Sequence, residues 1–267
     1  MSVEPLGRTE TRALLERHGV HLRRDLGQHF LTEPNVVRRI VEISGVGSGS
    51  QVVEVGAGAG TLTRALSEAG ARVVAYEVDG SLREVLDETV GDAAEVRFED
   101  AAAVDFETAL PPGEWVMVAN LPYNVGTPIV LDVLRHVPRI TRLVVMLQRE
   151  AVERLAAAPG SRTYGLPSVV VGLNATVRVV LRVPPHLFFP VPKVESAVAL
   201  IDRRPAHPLA EEAIALAATA LGQRRKMLRS SLRAVMSEAA MLAAGVAPTD
   251  RPEDVAPEGW LRLVRGS

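Results

Sequence analysis

Three glycines at alternate positions, Gly56, Gly58 and Gly60, separate the apolar run Gln51-Val-Val-Glu-Val55 from a helical pattern that opens at Thr61. Glycine so placed permits a tight turn from strand into helix and lets a ligand approach the backbone and the helix N-terminus closely. The chain around this joint alternates in the same sense. Strands are expected at 51–55, 72–77, 95–98, 115–119 and 142–147, with helices at 61–69, 81–90 and 126–136. Such alternation builds a parallel sheet with helices on both faces. Two further β-rich runs, 176–183 and 195–201, follow without a long helix between them and are expected to pair antiparallel at one edge. After Asp202 the pattern changes. A proline-bearing polar link, 203–208, leads to helices expected at 209–221, 224–236 and 257–264.

Composition narrows the chemistry. With 267 residues and 47% hydrophobic side chains the chain can bury a full core. No apolar run approaches the roughly 20 residues of a membrane helix, and the start lacks the apolar segment of a signal peptide. The expectation is a cytoplasmic monomer with no membrane partner. The absence of cysteine excludes a thiolate nucleophile, a zinc–thiolate site and an iron–sulfur cluster, so no metal is assigned. Charge is uneven along the chain. Between residues 46 and 110 only Arg64, Arg72, Arg83 and Arg97 oppose a large excess of carboxylates, which leaves the remainder net basic and open to a polyanionic partner.

The glycine loop suits a nucleotide-type ligand. The dinucleotide fingerprint requires a third glycine at position 61, where this chain has Thr61, which disfavours a nicotinamide-dependent dehydrogenase. The form present, Glu54-x-Gly-x-Gly-x-Gly60, resembles the first motif of S-adenosylmethionine-dependent methyltransferases. Glu77, closing the second strand, is placed to accept hydrogen bonds from a ribose, and Asp100, after the third, to accept from an adenine amine. At the end of the fourth strand stands Asn120-Leu-Pro-Tyr123. Pro122 biases Leu121 away from helix, which can leave the Leu121 carbonyl outward as an acceptor. The Asn120 side-chain oxygen supplies a second acceptor, and Tyr123 a stacking face. Two acceptors and a ring fit the exocyclic amine of a flat heterocycle, whose lone pair they would aim at a methyl donor without a strong general base. The missing thiolate agrees: methylation at pyrimidine carbon 5 normally needs one, and attack by an amine does not.

Five stretches in order, Leu26-Gly-Gln-His-Phe-Leu31, the glycine loop, Asn120-Leu-Pro-Tyr-Asn-Val-Gly-Thr-Pro128, Phe188-Phe-Pro-Val-Pro-Lys-Val-Glu-Ser-Ala-Val198 and Gln223-Arg-Arg-Lys-Met-Leu-Arg229, resemble the KsgA/RsmA family of ribosomal RNA adenine dimethyltransferases. The resemblance implies an α/β fold: a Rossmann-like S-adenosylmethionine-dependent methyltransferase sheet in a catalytic domain (1–203, with an N-terminal arm), followed by a small all-helical C-terminal domain (204–267) for RNA or ribosome binding. It implies S-adenosyl-L-methionine as cofactor and the N6 atoms of two adjacent adenines near the 3′ end of small-subunit rRNA as target, in an assembly intermediate. His29 and Leu31 would close over the methionine end, beside Glu54, Gly56 and Gly58. Glu77 and Val78 would hold the ribose side, Asp100 the adenine, and Asn120 would border both cofactor and target. Asn120, Leu121, Pro122 and Tyr123 would form the amine clamp, with Phe188 stacking on the flipped base. Stacking, at roughly 1 to 3 kcal/mol per base, would offset an extrusion cost of a few kcal/mol.

Arg224, Arg225, Lys226, Arg229 and Arg233 are expected on one helix face toward phosphates. An arm bearing Arg17, Arg23 and Arg24 would extend that face. Ala57, Gly126 and Met227 are small departures from the commonest family wording, and none removes a proposed catalytic group. Two rival readings stay open: an erythromycin-resistance type enzyme acting on large-subunit rRNA, and a ribosome-assembly or transcription-associated binding protein with secondary catalysis.

Overall fold

The computed structural model describes residues 5–23 and 25–266. Its nine strands among those residues are β1 (Phe30–Leu31), β2 (Gln51–Val55), β3 (Arg72–Tyr76), β4 (Glu95–Arg97), β5 (Trp115–Asn120), β6 (Ile140–Gln148), β7 (Ala175–Val183), β8 (Phe188–Phe189) and β9 (Ser196–Arg203). Seven of them form one sheet in the order β4-β3-β2-β5-β6-β9-β7, and β1 pairs with β8 in a separate ribbon. β2 runs parallel to both β3 and β5, and β6 continues parallel beside β5. β9 is antiparallel to β6, pairing Gln148 with Ser196 and Arg142 with Asp202. The chain thus builds outward from β2 to β4, then returns to lay β5 on the other side of β2. The reversal opens a crevice beyond the carboxyl ends of β2 and β5, where ligands of such sheets bind.

The strands form because their apolar residues are buried on both faces. Val52, Val53 and Val55 of β2, Val73, Val74 and Ala75 of β3, and Met117, Val118 and Ala119 of β5 are all buried. Each buried Val or Leu contributes about 1.5–3 kcal/mol relative to exposure, so the sheet centre carries much of the stability. The helix Thr61–Glu68 covers one side with Leu62 and Leu66 buried. The helix Gly126–His136 does the same with Ile129, Val130, Val133 and Leu134. Pro34–Ser44 begins with proline in its first turn, Glu33 accepting from the Asn35 N–H, and ends at Gly45 in the left-handed region, so both ends are closed by local chemistry.

Contacts divide the chain into two compact units. One comprises the chain through Val152 together with Arg178–Asp202, and the other Glu153–Val177 with the residues from Arg203 onward. The second unit is helical: Leu166–Asn174, Ala210–Leu221 and Pro257–Arg265 bury Val170, Ile214, Ala217, Trp260 and Leu263. The Tyr164 hydroxyl donates to the Val255 carbonyl at 2.7 Å, tying a loop into that core.

One expected helix is absent. Residues 222–227 form a turn, followed by the four-residue helix Leu228–Ser231 rather than a continuous helix from 224 to 236. The reason is tertiary: the Leu228 N–H donates to the Asp250 carbonyl at 2.8 Å and the Arg229 N–H to that of Pro248 at 2.9 Å, so these donors serve another segment instead of a helix ladder.

Gly60 shows how tightly the first turn is specified. Its φ is +79°, and a Cβ there would lie 2.5 Å from Thr89 Oγ1 and 2.6 Å from Val90 Cγ2. Thr89 is held by its bond to the Val85 carbonyl at 2.9 Å, and Val90 is buried, so neither can yield easily. Gly60→Ala is expected to cost about 1–3 kcal/mol and to lower Tm by several degrees; an unchanged melting curve by calorimetry would contradict this account of the turn.

Candidate active site

The crevice at the ends of β2, β3, β4 and β5 gathers the residues expected to bind a cofactor. Val55 leads into the glycine loop, where the Gly56 and Ala57 N–H groups both donate to the Tyr76 carbonyl, at 2.8 and 3.1 Å. The loop is thereby fastened to the end of β3. Gly58 has φ +57°, and a Cβ on it would come within 3.0 Å of the Phe30 ring, so only glycine lets the loop pass this closely under the arm. Its N–H donates to Glu77 Oε2 at 2.8 Å, while the Asp79 N–H donates to Oε1 at 2.9 Å. Each Glu77 oxygen keeps a lone pair for a further donor such as a sugar hydroxyl. Burial pushes the Glu77 carboxyl above its ordinary value, against the two backbone N–H bonds that favour the charged form.

Glu54, one residue before the strand ends, is 1% exposed. Its Oε2 and the neighbouring Thr63 Oγ1 are both buried without a hydrogen-bond partner. Burial pushes the Glu54 carboxyl up to about 8; Thr63 pulls the other way without completing a bond, and the Glu77 charge adds to the rise. A buried, unpartnered acceptor at the floor of a crevice is an opening for a cationic or hydrogen-bond-donating ligand group.

Val78 and Asp100 stand at the rim of the same crevice. Both are exposed, and Asp100 receives the Ala102 N–H at 3.0 Å, which fixes its carboxylate. From the arm, His29 and Leu31 line the opposite wall. The β1–β8 ribbon positions them, pairing Leu31 with Phe188 and Phe30 with Phe189.

Asn120 ends β5, and its backbone borders Gly56: a Cβ on that glycine would lie 3.6 Å from the Asn120 carbonyl. The Asn120 Nδ2 donates to the His29 carbonyl at 2.9 Å. With the amide nitrogen committed to His29, Oδ1 is the end of the carboxamide left to act as an acceptor. Leu121 is anchored by its N–H to the Met146 carbonyl at 3.1 Å and by a buried side chain. The Pro122 carbonyl accepts from Val125 and Gly126, which starts the next helix. Tyr123 stacks on the His29 ring, with centroids 5.5 Å apart and planes 29° off parallel. Burial raises the Tyr123 hydroxyl's pKa, opposed by a hydrogen bond with Ser196.

Two expectations do not match the placement found. Phe188 is 0% exposed and packs with Leu31 and Phe30 in the main core, so its ring offers no face to a flipped base; alternation along β8 leaves Phe189 as the partly exposed ring. Arg224 is half-buried, paired with Glu253 and donating to the Arg162 carbonyl at 2.7 Å. It holds the helical unit together rather than presenting a free cation. Arg225, Lys226, Arg229 and Arg233 are exposed, on a turn and a short helix rather than on one long helical face. Arg17 is engaged with Glu88 and Arg23 with Asp25, and Arg24 lies outside the described residues.

Three side chains given no role from sequence also contribute. Gln28 Nε2 donates to Asp79 Oδ2 at 2.6 Å, joining the arm to the end of β3. Thr63 stands beside Glu54. The Ser196 hydroxyl shares a hydrogen bond of 2.6 Å with the Tyr123 hydroxyl. Gln28 and Ser196 fall inside stretches that carry the family resemblance, so their position was visible in the sequence although their partners were not.

Residues 19–266 match the protein family described as ribosomal RNA adenine dimethylase. The chain belongs to that family. A ribosomal RNA small subunit methyltransferase A from Phenylobacterium zucineum is 45% identical over 271 residues, covering 99% of this chain and 94% of that protein. One from Leifsonia xyli subsp. xyli is 44% identical over 275 residues, covering 97% of each. Among solved structures, the 23S rRNA methyltransferase ErmE is similar with a TM-score of 0.70 and 26% identity, covering 89% of this chain and 98% of that one. A dimethyladenosine transferase from Plasmodium falciparum shares the fold with a TM-score of 0.72 and 23% identity, over 88% and 96% of the two chains. As a member of this family the chain is a methyltransferase that uses S-adenosylmethionine, and the crevice fits that cofactor: close-packed glycine backbone, the Glu77 carboxylate and the unpartnered Glu54 acceptor form its floor.

Glu54 makes the site's stability pH-dependent. Its folded pKa, about 8, is raised above the ordinary 4.5. The folded protein therefore holds a proton that the unfolded chain has released. That contribution to stability is whole at low pH and is lost as pH rises through the folded value. Without cofactor, wild-type Tm should fall relative to Glu54→Gln between about pH 5 and 9; parallel Tm curves for the two proteins would contradict this.

Proposed function

We propose that this protein transfers methyl groups from S-adenosylmethionine to the N6 atoms of two adjacent adenines near the 3′ end of small-subunit rRNA during ribosome assembly. The observation that carries the reading is the end of β5. There the Asn120 amide nitrogen is taken by His29 while Oδ1 and the Leu121 carbonyl are left as acceptors beside the cofactor crevice. S-adenosylmethionine supplies an electrophilic sulfonium methyl group. The protein's part is to present the amine. Oδ1 of Asn120 and the carbonyl of Leu121 accept its two N–H bonds, which draws the nitrogen toward tetrahedral geometry and exposes its lone pair. Anchoring of Leu121 by Met146 and by burial fixes one acceptor before substrate arrives. The Tyr123 ring offers a face to the base. Glu77 would accept from the ribose hydroxyls and Asp100 from the cofactor's adenine amine. After transfer, the extra proton on the nitrogen departs to solvent, and no side chain is required as a strong base.

The small-subunit target is supported by the names of the relatives that are 44% and 45% identical over nearly their whole length. The likeness to ErmE, at 26% identity, keeps a large-subunit target as the competing reading. Catalysis is assigned to the unit that carries the crevice and RNA binding to the helical unit, which takes in Glu153–Val177 besides the expected 204–267 and in which Arg225, Lys226, Arg229 and Arg233 present their charges to solvent. A monomer acting in the cytoplasm, where ribosomes assemble, fits this role, and among the described residues no helix is long and apolar enough to cross a membrane.

Incubation with labelled S-adenosylmethionine and unmethylated small or large subunits, followed by mapping of the modified nucleotide, tests the reading. Label on two adjacent adenines of the small subunit is expected; label confined to the large subunit would overturn it. In a binding titration against salt, charge reversal at Arg225 and Arg229 should weaken small-subunit affinity and make its salt dependence shallower, each lost phosphate contact removing roughly 0.7–0.9 from the slope. An unaltered slope would remove these residues from the RNA-binding surface.

A further inference from the structure

The clamp tyrosine is held from two directions by one segment of chain. Ser196 opens β9, where pairing with Gln148 fixes its position, and its side chain is 0% exposed. Its hydroxyl shares a 2.6 Å hydrogen bond with that of Tyr123. Six residues earlier, the Pro190 carbonyl lies 2.8 Å from His29 Nδ1. A carbonyl can only accept, so Nδ1 carries the proton. The His29 ring, so pinned, stacks on the Tyr123 ring itself. The residues just before this segment are in turn fastened to the arm by the Phe30–Phe189 and Leu31–Phe188 pairs, by the Thr32 N–H to the Leu187 carbonyl at 2.9 Å, and by Arg8, which donates to the Phe188 carbonyl.

We propose that Ser196 and His29 are positioning residues that set the orientation of the Tyr123 ring, Ser196 by gripping its hydroxyl and His29 by supporting its face, with residues 190–196 as the strap that joins the two supports. This inference rests on the functional reading above for its meaning in turnover. A tyrosine side chain has two freely varying torsions, and stacking on a base rewards only a narrow range of them. A ring fixed at its hydroxyl by a sheet residue and at its face by a pinned imidazole is organised before the base enters. Ser196 touches neither cofactor crevice nor base, so its effect passes entirely through Tyr123.

The test uses the full-length protein with unmethylated small subunits and labelled S-adenosylmethionine. Ser196→Ala and Tyr123→Phe each delete the same hydrogen bond, and each is expected to lower kcat roughly three- to tenfold. KM for S-adenosylmethionine should stay within about twofold, because the bond does not serve cofactor binding. The double variant should be no slower than the slower single one, since both changes remove one shared interaction. His29→Phe keeps a ring for stacking but loses the Pro190 bond and is expected to lower kcat. Effects that multiply in the double variant, or a raised cofactor KM with unaltered kcat, would overturn the proposal. The bond is also read without substrate. The chain has three tyrosines, so the resonance of Tyr123 in 13Cζ-tyrosine NMR is the one that Tyr123→Phe abolishes. Ser196→Ala should shift that resonance, and one that stays in place overturns the proposal whatever the protein methylates. A shifted resonance in a protein that methylates neither subunit supports the strap and sinks the substrate assignment alone.

Discussion

The hydrogen bond from Asn120 Nδ2 to the His29 carbonyl decides which end of a carboxamide faces the crevice. In the alternative rotamer, the amide NH₂ would point at an incoming amine, donor against donor, and the His29 carbonyl would lose its partner. One such bond contributes only about 0.5–1.5 kcal/mol to stability, and leaving the part-buried His29 carbonyl unpaired adds a desolvation cost, so the pair favours the orientation seen. The acceptor comes from the arm, which the β1–β8 ribbon holds, and the donor comes from the tip of β5. The chemistry of the site therefore depends on two segments that are distant in sequence being held together correctly.

Electrostatics extend the same design. Within the acidic stretch between residues 46 and 110, Glu54 and Glu77 are buried and line the crevice. Burial raises both carboxyls, and at Glu77 backbone N–H groups oppose the rise by supporting the charged form. A sulfonium cofactor with an ammonium group would bring positive charge to such a floor, which would offset the cost of keeping carboxylates out of water. The basic excess of the remainder includes exposed arginines of the helical unit, which suits a phosphate backbone.

Much of this was legible in the sequence because it is local. Apolar runs and the glycine loop placed β2, β3, β5 and the helix Gly126–His136 almost to the residue. Glu77, Asp100 and Asn120 could be placed along the crevice from sequence because strand ends in such a sheet converge there whatever the details. What failed depended on partners distant in the chain. Gln223-Arg-Arg-Lys-Met-Leu-Arg229 has helical propensity, but the carbonyls of Pro248 and Asp250 claim its backbone donors, and Glu253 claims Arg224. Phe188 and Phe189 are neighbours of the same type, and only the pairing of β8 with β1 determines that the first is buried. The Ser196 hydroxyl could not be given a role until β9 was seen to bring it to Tyr123.

Asn120→Ala tests the central claim most directly, measured by single-turnover methylation of unmethylated small subunits beside calorimetry of cofactor binding. The substitution removes one acceptor from the amine while leaving the glycine loop and Glu77 in place. The methyl-transfer rate should fall by roughly a hundredfold or more, the scale of losing one preorganised partner of the reacting group, with S-adenosylmethionine affinity nearly unchanged. A variant that transfers methyl groups at the wild-type rate would contradict the account.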